Sequence, residues 1–335
     1  MRFLPFALAA AALTTLASAV SAQPRHELSL TTDNDWYAFG GTDREYSQGM
    51  ELALRAPLGA PGELDHTHVV VALGQALYTP DDLLETRADA LRADRPYAGW
   101  LFGSAKLDLL RPGWRASLTA RAGVVGPHAF GEQIQIAWHS TNRAPEPLGW
   151  PHAQVGDALD AGVAARVGTL AAWPARRTGS AELGLDLTPE LGCEAGTLRA
   201  GCDAGALLRI GLARRGLRDV PTLAEPLAVR VARGDLPVPR PAAELELVAF
   251  VSGDAHRVLK DDVQAGDVCT RSGAEWSCGP SWVRLSPWVT AVALGVAAAH
   301  GLWRVSASHV WRSAELEAPV VRAQRFGRLA VAYAF

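Results

Sequence analysis

Lysine is almost missing from this chain. Lys106 and Lys260 are the only two, and arginine supplies nearly all of the 32 basic residues that face 35 acidic ones. The resulting charge of −3 comes with no basic domain or stripe, which excludes a nucleic-acid partner. The arginine bias itself reads as genomic composition rather than chemistry. Long apolar runs are also missing. After residue 22 no window approaches the roughly 18–20 apolar residues that a spanning helix needs. An integral membrane protein with this sequence must therefore cross as a closed β-barrel. No G-x-S-x-G is present to build a serine-hydrolase elbow. No HExxH, Walker motif or GxGxxG in its proper setting occurs. Tandem repeats, low-complexity tracts and interdomain linkers are absent too.

Residues 1–22 have the form of an export signal. Arg2 gives the charged start, Leu4 to Leu16 the apolar stretch, and Val20-Ser21-Ala22 a small-residue cleavage site. Residues 23–335 then form one β-barrel domain in the outer membrane. Four cysteines fall into two pairs, Cys193/Cys202 and Cys269/Cys278, with eight residues between the members of each. In an exported protein this spacing predicts two local disulfides. A metal site would want CxxC spacing or nearby histidines, and has neither. Flanking Gly, Glu, Asp and Ser place both pairs in loops.

What is abundant is period-two alternation. Candidate strands run over 26–36, 46–57, 66–78, 99–110, 113–125, 153–168, 179–190, 204–214, 242–252, 286–300, 302–313 and 324–335. These are twelve, an even number as bacterial single-chain barrels require. In the last of them Leu329, Val331, Tyr333 and Phe335 share one face, and Arg328, Ala330, Ala332 and Ala334 the other. The preceding strand puts Trp303, Val305, Ala307, His309 and Trp311 opposite Arg304, Ser306, Ser308 and Arg312. One apolar and one small or polar face suits a wall between lipid and lumen. A large β-sandwich would alternate as well. The aromatic end of the chain and the tryptophans at strand ends (Trp36, Trp100, Trp114, Trp282, Trp288) favour a barrel with aromatic girdles. The fold class is thus an all-β, twelve-stranded transmembrane barrel with short helical loop segments.

Two stretches break this pattern. DDLLETRADALRA (81–93) has helical spacing and predicts a short surface helix. AFGEQIQIAWHST (129–141) fits a helix, with Gln135 and His139 on one face, or a strand with the two further apart. The proline-rich DLPVPRPAAE (235–244) reads as a long loop.

Few residues carry chemistry. His139 has polar company in Gln135, Ser140, Thr141 and Asn142, and a neutral imidazole can take a proton from water near pH 7. A lone histidine is more often structural. Asp33, Asn34 and Asp35 interrupt the first strand with oxygen-rich ligands that suit a hard cation such as Ca²⁺, though not in the EF-hand pattern. From spacing alone, a polar turn or lumen-facing side chains at a barrel rim is the favoured explanation. His66 and His68 are a weak metal signal.

The blocks NDWYAFGGTDREYSQGM (34–50), DRPYAGWLF (94–102), GVVGPHAFGEQIQIAWH (123–139), GWPHAQ (149–154) and SHVWRSAEL (308–316) occur in order. Together they resemble the outer-membrane lipid A deacylase family, which removes the 3′-linked acyloxyacyl group of lipid A. The matches span nearly the whole mature chain, with little signature between about 160 and 285. The resemblance implies a twelve-stranded barrel. It also implies an Asn-Asp pair at Asn34 and Asp35, a hydroxyl at Ser47 where threonine is familiar, and a Gln–His pair at Gln135 and His139. Asp33 stands where many relatives carry Glu.

By this similarity the mechanism resembles that of secreted phospholipases A2. His139 activates water, and Ca²⁺ held by Asp35 with Asn34 and Asp33 stabilises the oxyanion. Asn34, Ser47 and Gln135 orient the participants. The aromatic residues of DRPYAGW either shape the substrate rim or belong to a girdle and tight turn. The expectation is a monomeric, calcium-dependent carboxylic ester hydrolase in the bacterial outer membrane, acting on the lipid A moiety of lipopolysaccharide. The alternatives are a non-catalytic barrel or pore of the same ancestry, and an esterase for another membrane lipid.

Overall fold

Alternation of side chains between two environments organises the chain from end to end. The structure is a computed structural model that describes residues 26–38, 44–58, 67–111, 114–169, 171–178, 181–213 and 242–335. The expected export signal, residues 1–22, lies outside the described residues. Twelve long antiparallel strands make one sheet that closes on itself. They are β1 (Glu27–Asn34), β2 (Glu45–Pro57), β3 (Thr67–Thr79), β4 (Ala98–Arg111) and β5 (Trp114–Val125). Next come β6 (Ala158–Thr169, resuming as Ala171–Thr178 in the same register as far as Trp173), β7 (Ala181–Gly196) and β8 (Arg199–Ala213). The last four are β9 (Ala242–Asp261), β10 (Trp288–Gly301), β11 (Trp303–Arg312) and β12 (Gln324–Ala334). Each pairs with its successor, and β12 returns to β1 with Glu27 opposite Ala334 and Asn34 opposite Gly327. His26 and Phe335 exchange two main-chain hydrogen bonds of 2.9 Å at this seam.

All twelve expected strands form, and no described helix is long and apolar enough to cross a membrane. The differences lie in length. β7 and β8 run to a two-residue turn at Thr197 and Leu198, and β9 extends to Asp261. The polar, cysteine-bearing sequence there reads as loop. In fact Cys193 and Cys202 face each other across the β7–β8 ladder and are joined by a disulfide. Cys269 and Cys278 do the same across the small hairpin Val268–Ser272/Glu275–Gly279. Both predicted disulfides are therefore present, but on paired strands rather than in loops.

The segment 81–93 is helical only over Ala88–Leu91. The Asp82 carboxylate accepts the Leu84 N–H, and that of Glu85 accepts those of Thr86 and Arg87. Such local bonds compete with a helix. Residues 129–141 resolve in favour of a helix, Gly131–Asn142. Of the proline-rich stretch, 235–241 lie outside the described residues, and β9 begins at Ala242.

Outward positions are apolar and exposed, including Leu52, Leu73, Leu118, Val163, Leu294 and Val331. Inward positions carry charge that is buried and paired. Asp33 meets Arg328 at 2.8 Å, Glu27 meets Arg304 at 2.7 Å, and Asp186 meets Arg209 at 2.8 Å. Lys106 and Arg55 share Asp108. Charge is tolerable here because it faces the bundle of partners and not lipid. Above this layer Tyr46, Tyr78, Trp100, Phe102 and Phe326 pack together. The described lumen is thus occupied by side chains.

Trp36, Trp114 and Trp288 are exposed as a girdle requires, whereas Trp100 is not. Its even position on β4 turns it into the lumen, where its Nε1–H donates to Asp160 over 3.1 Å and Arg121 stacks on its ring. Tyr97 is likewise fully buried, so neither side chain of DRPYAGW forms a girdle. Trp282 is part-buried in the β9–β10 loop and donates to the Asp94 carbonyl. His68 is buried in the lumen, and His66 lies outside the described residues.

The loops joining β3 to β4, β5 to β6, β9 to β10 and β11 to β12 all lie at one end. At the opposite end β10 and β11 are joined through Leu302 alone. Long loops mark the outer surface of such barrels.

Candidate active site on the outer wall

At the loop-bearing end β2 contains one residue too many for its partner. Tyr46 stands opposite Tyr78 and Gln48 opposite Leu77, leaving Ser47 as a bulge. Glu45, just before it, adopts the left-handed conformation at φ 60°. A bulge re-aims side chains at a barrel rim. Here it keeps Tyr46 in the lumen and brings the Ser47 hydroxyl against that of Thr79, both fully buried.

Pairing then defines an outward-facing row. Asn34 lies opposite Gln48, Gln48 opposite Leu77, and Leu77 opposite Gly99. Four strands about 4.8 Å apart make this row about 14 Å long. The helix Gly131–Asn142 begins on its far end. A methyl group added at Gly99 would lie 3.1 Å from the Gly131 Cα, and one added at Gly131 would lie 3.1 Å from the Leu77 Cδ2. Gln75, also outward, donates to the Ala129 carbonyl at 2.6 Å. The helix therefore sits against the outside of the barrel.

Its polarity is inverted. Gly131, Gln135 and His139, four apart, form the buried face, while Phe130 and Ile134 are exposed. A helix burying an amide and an imidazole on a barrel wall needs a reason beyond packing. The His139 Nδ1 lies against the Pro145 carbonyl, which can only accept. The proton of the neutral ring is thereby fixed on Nδ1, and Nε2 carries the lone pair. Trp150 Nε1 donates to Gln135 Oε1 over 2.6 Å.

A chain of contacts ties this end of the helix to the first two strands. Leu148, shortly after Pro145, donates its N–H to Leu83 beyond β3. Asp81 in the same loop pairs with Arg44 at 3.1 Å, and the Arg44 N–H donates to Asp35 Oδ2 over 2.9 Å. The Asp81 N–H also donates to Asp94, whose carboxyl is held above its ordinary range by burial despite this bond and another from the Arg95 N–H. Asp35 is buried and opens the turn Asp35–Ala38, in which the Asn34 side-chain oxygen accepts the Trp36 N–H at 2.8 Å.

Asp33 separates from its neighbours. Strand parity turns it into the lumen, where Arg328 engages both carboxylate oxygens and the Tyr46 hydroxyl donates to one of them over 3.0 Å. Asp33 thus faces away from Asn34, which the same pairing turns outward. Asn34, Asp35, Ser47, Gln135 and His139 lie at the same, loop-bearing end; Asn34 faces outward, and the helix that carries Gln135 and His139 starts on the outer wall. Among the described residues no three His, Cys, Asp or Glu side chains converge as a metal cluster.

Thr79, Pro145 and Trp150 escaped the sequence reading. Trp150 was within reach, because it lies in the GWPHAQ block. Thr79 ends an ordinary strand and offers no signal.

The family description "Outer membrane protein LpxR" matches residues 4–335. The chain belongs to the LpxR family. This is the outer-membrane lipid A deacylase family that its motifs resemble, and the barrel accordingly resides in the outer membrane. Among solved structures, LpxR from Salmonella typhimurium is 18% identical with a TM-score of 0.74, covering 92% of this chain and 100% of that one. The β domain of the Bordetella autotransporter BrkA is 9% identical with a TM-score of 0.41, covering 94% of this chain and 100% of that one. The NalP translocator domain from Neisseria meningitidis is 12% identical with a TM-score of 0.37, covering 98% and 95%. No curated protein matches the chain. The LpxR likeness extends to the whole barrel, and membership rests on the sequence match.

Proposed function

We propose that this LpxR-family barrel removes the 3′-linked acyloxyacyl chain of lipid A by ester hydrolysis, with His139 as the base. The observation that carries this reading is the buried Gln135–His139 face on the outside of the wall, with the imidazole tautomer set by Pro145. An ester in the outer leaflet reaches the outer wall laterally, without entering the lumen. The distances are compatible. From Gly131 to His139 the helix advances about 12 Å, close to the length of the row from Gly99 to Asn34.

In this scheme Nε2 of His139 takes a proton from water, and the water oxygen bonds to the ester carbonyl carbon. The tetrahedral intermediate then expels the sugar oxygen, which leaves with the proton from the imidazole. A free acyloxyacyl acid and a sugar hydroxyl result. Ser47, held by Thr79, and Gln135, held by Trp150, are hydrogen-bonding groups that orient water and ester.

The donor chemistry near β1 fits a hard cation: the Asp35 carboxylate, the Asn34 amide oxygen and nearby main-chain carbonyls are all oxygen ligands. Calcium held there would act as a Lewis acid on the developing oxyanion. Asp33 is left out of this set, being committed to Arg328.

The filled lumen speaks against a passive pore. Mass spectrometry of lipid A from cells with and without the protein tests the proposal. Loss of the 3′-linked acyloxyacyl mass is expected with the wild type and not with His139→Ala. An unchanged lipid A profile in calcium-replete cells making folded wild-type barrel would overturn it.

A further inference from the structure

Gln135 sits on the buried face of the helix, 2% exposed. An amide side chain has an accepting end and a donating end, and their assignment is normally inferred from surroundings. Here one neighbour decides it. The Trp150 indole N–H can only donate, so the atom 2.6 Å away must be the Gln135 oxygen. The NH₂ group then occupies the other position. That nitrogen is buried and has no hydrogen-bond partner among the described residues. A buried donor left unmatched costs about 1–3 kcal/mol, so it marks a place where an acceptor binds.

We infer that Trp150 is a positioning residue: its indole N–H locks the Gln135 amide so that Nε2 points a hydrogen bond at an oxygen in the site. The consequence is chemical. Locked this way, Gln135 turns its oxygen to Trp150 and presents its NH₂ group as a donor to a water or ester oxygen. One helical turn separates it from His139 on the same face, so the oxygen it holds lies within reach of the base.

The indole is itself held rigidly. It is fully buried and packs against the Tyr97 ring at a tilt of 42°, with centroids 4.8 Å apart. The first turn of the helix admits it only because residue 131 is glycine, where a Cβ would come within 2.6 Å of the ring. Tyr97 is fixed in turn by hydrogen bonds between its main chain and that of Ala153 and Val155. An aromatic clamp of this kind holds one rotamer, as a positioning group must.

The catalytic meaning of this lock rests on the hydrolase reading above, so one measurement needs activity and another does not. In the purified barrel, Trp150→Phe keeps the ring and deletes the donor. It should lower kcat about tenfold, the cost of one hydrogen bond, with KM little changed. In a Gln135→Ala background the same change should cost nothing further, since there is no amide left to orient. A purely structural role for Trp150 would make the two effects multiply, and that result would overturn the inference. Independently of turnover, the indole N–H resonance that disappears in Trp150→Phe should shift in Gln135→Leu. A signal unmoved by Gln135→Leu would refute the lock even in an inactive protein. Wild-type protein that leaves lipid A intact while showing the shift would count against the hydrolase reading alone.

Discussion

Gly99→Ala is the most economical perturbation of the proposed site. It adds one methyl group to the outer face of β4, at the point where the helix rests. That carbon would stand 3.1 Å from both the Cα and the N of Gly131, and 3.4 Å from the Ala129 Cβ. Non-bonded carbons prefer about 3.5–4.0 Å, so the start of the helix must retreat by about 0.4–0.9 Å. A misplacement of about 1 Å at a reacting group can cost about a hundredfold in rate. A fall in kcat of between about ten- and a hundredfold is therefore expected for Gly99→Ala.

The strand ladder is untouched by this change, so the barrel itself should fold normally. The control lies on the same face of the same strand. At Gly103 the nearest atom to an added Cβ is the Ala72 oxygen at 3.7 Å, an ordinary contact, so Gly103→Ala should behave as wild type. The assay is the rate of acyl release from lipid A in mixed micelles, read by mass spectrometry. Heat-modifiable gel mobility confirms folding. If Gly99→Ala and Gly103→Ala turn over equally fast, the helix does not need its seat on the wall and the reasoning fails.

Asp33→Asn removes the carboxylate that engages Arg328 through both its oxygens and should cost up to about 3–5 kcal/mol, seen as a lower denaturation midpoint. The calcium concentration giving half-maximal activity should stay the same; a large increase would return Asp33 to the metal site. Thorough chelation should abolish lipid A deacylation and added Ca²⁺ restore it, whereas persistent activity in chelator would remove the metal from the mechanism. Replacing Cys193 and Cys202 together by alanine should lower stability by about 2–3 kcal/mol for a loop of this length, without changing kcat. For Asp94, burial holds the folded carboxyl pKa above the unfolded value. Its contribution is then fully present below the unfolded pKa and is lost as pH rises through the raised folded one. Protease resistance of the 80–97 loop should decline across that window in wild type and be flat in Asp94→Asn.

Twelve strands and their two faces were legible in the sequence because a barrel wall imposes its chemistry at every second residue. Leu329 and Arg328 cannot exchange sides without putting a guanidinium in lipid, so the pattern is written into each strand independently. The disulfides were legible for a similar reason, since short spacing leaves few possible partners. Strand ends beyond the hydrophobic layer were not. The tips of β7, β8 and β9 stand in polar surroundings where alternation loses its meaning, and only cross-strand partners such as Cys193 and Cys202 extend the ladder.

The site was legible as residue types and not as an arrangement. Gln135 and His139 share a face by helical spacing, and that much is local. Which side of the wall the helix covers was decided by Gly99 and Gly131 meeting across 32 residues of sequence. Adjacent polar residues went to different sides for the same kind of reason: pairing with β12 gave Asp33 to Arg328 in the lumen, while Asn34, opposite Gly327, faces outward. Composition and periodicity determined that this protein is a membrane barrel, because those constraints repeat along the chain. The tertiary structure alone decided which side chains meet at the wall, because register and a single bulge depend on strands distant in sequence.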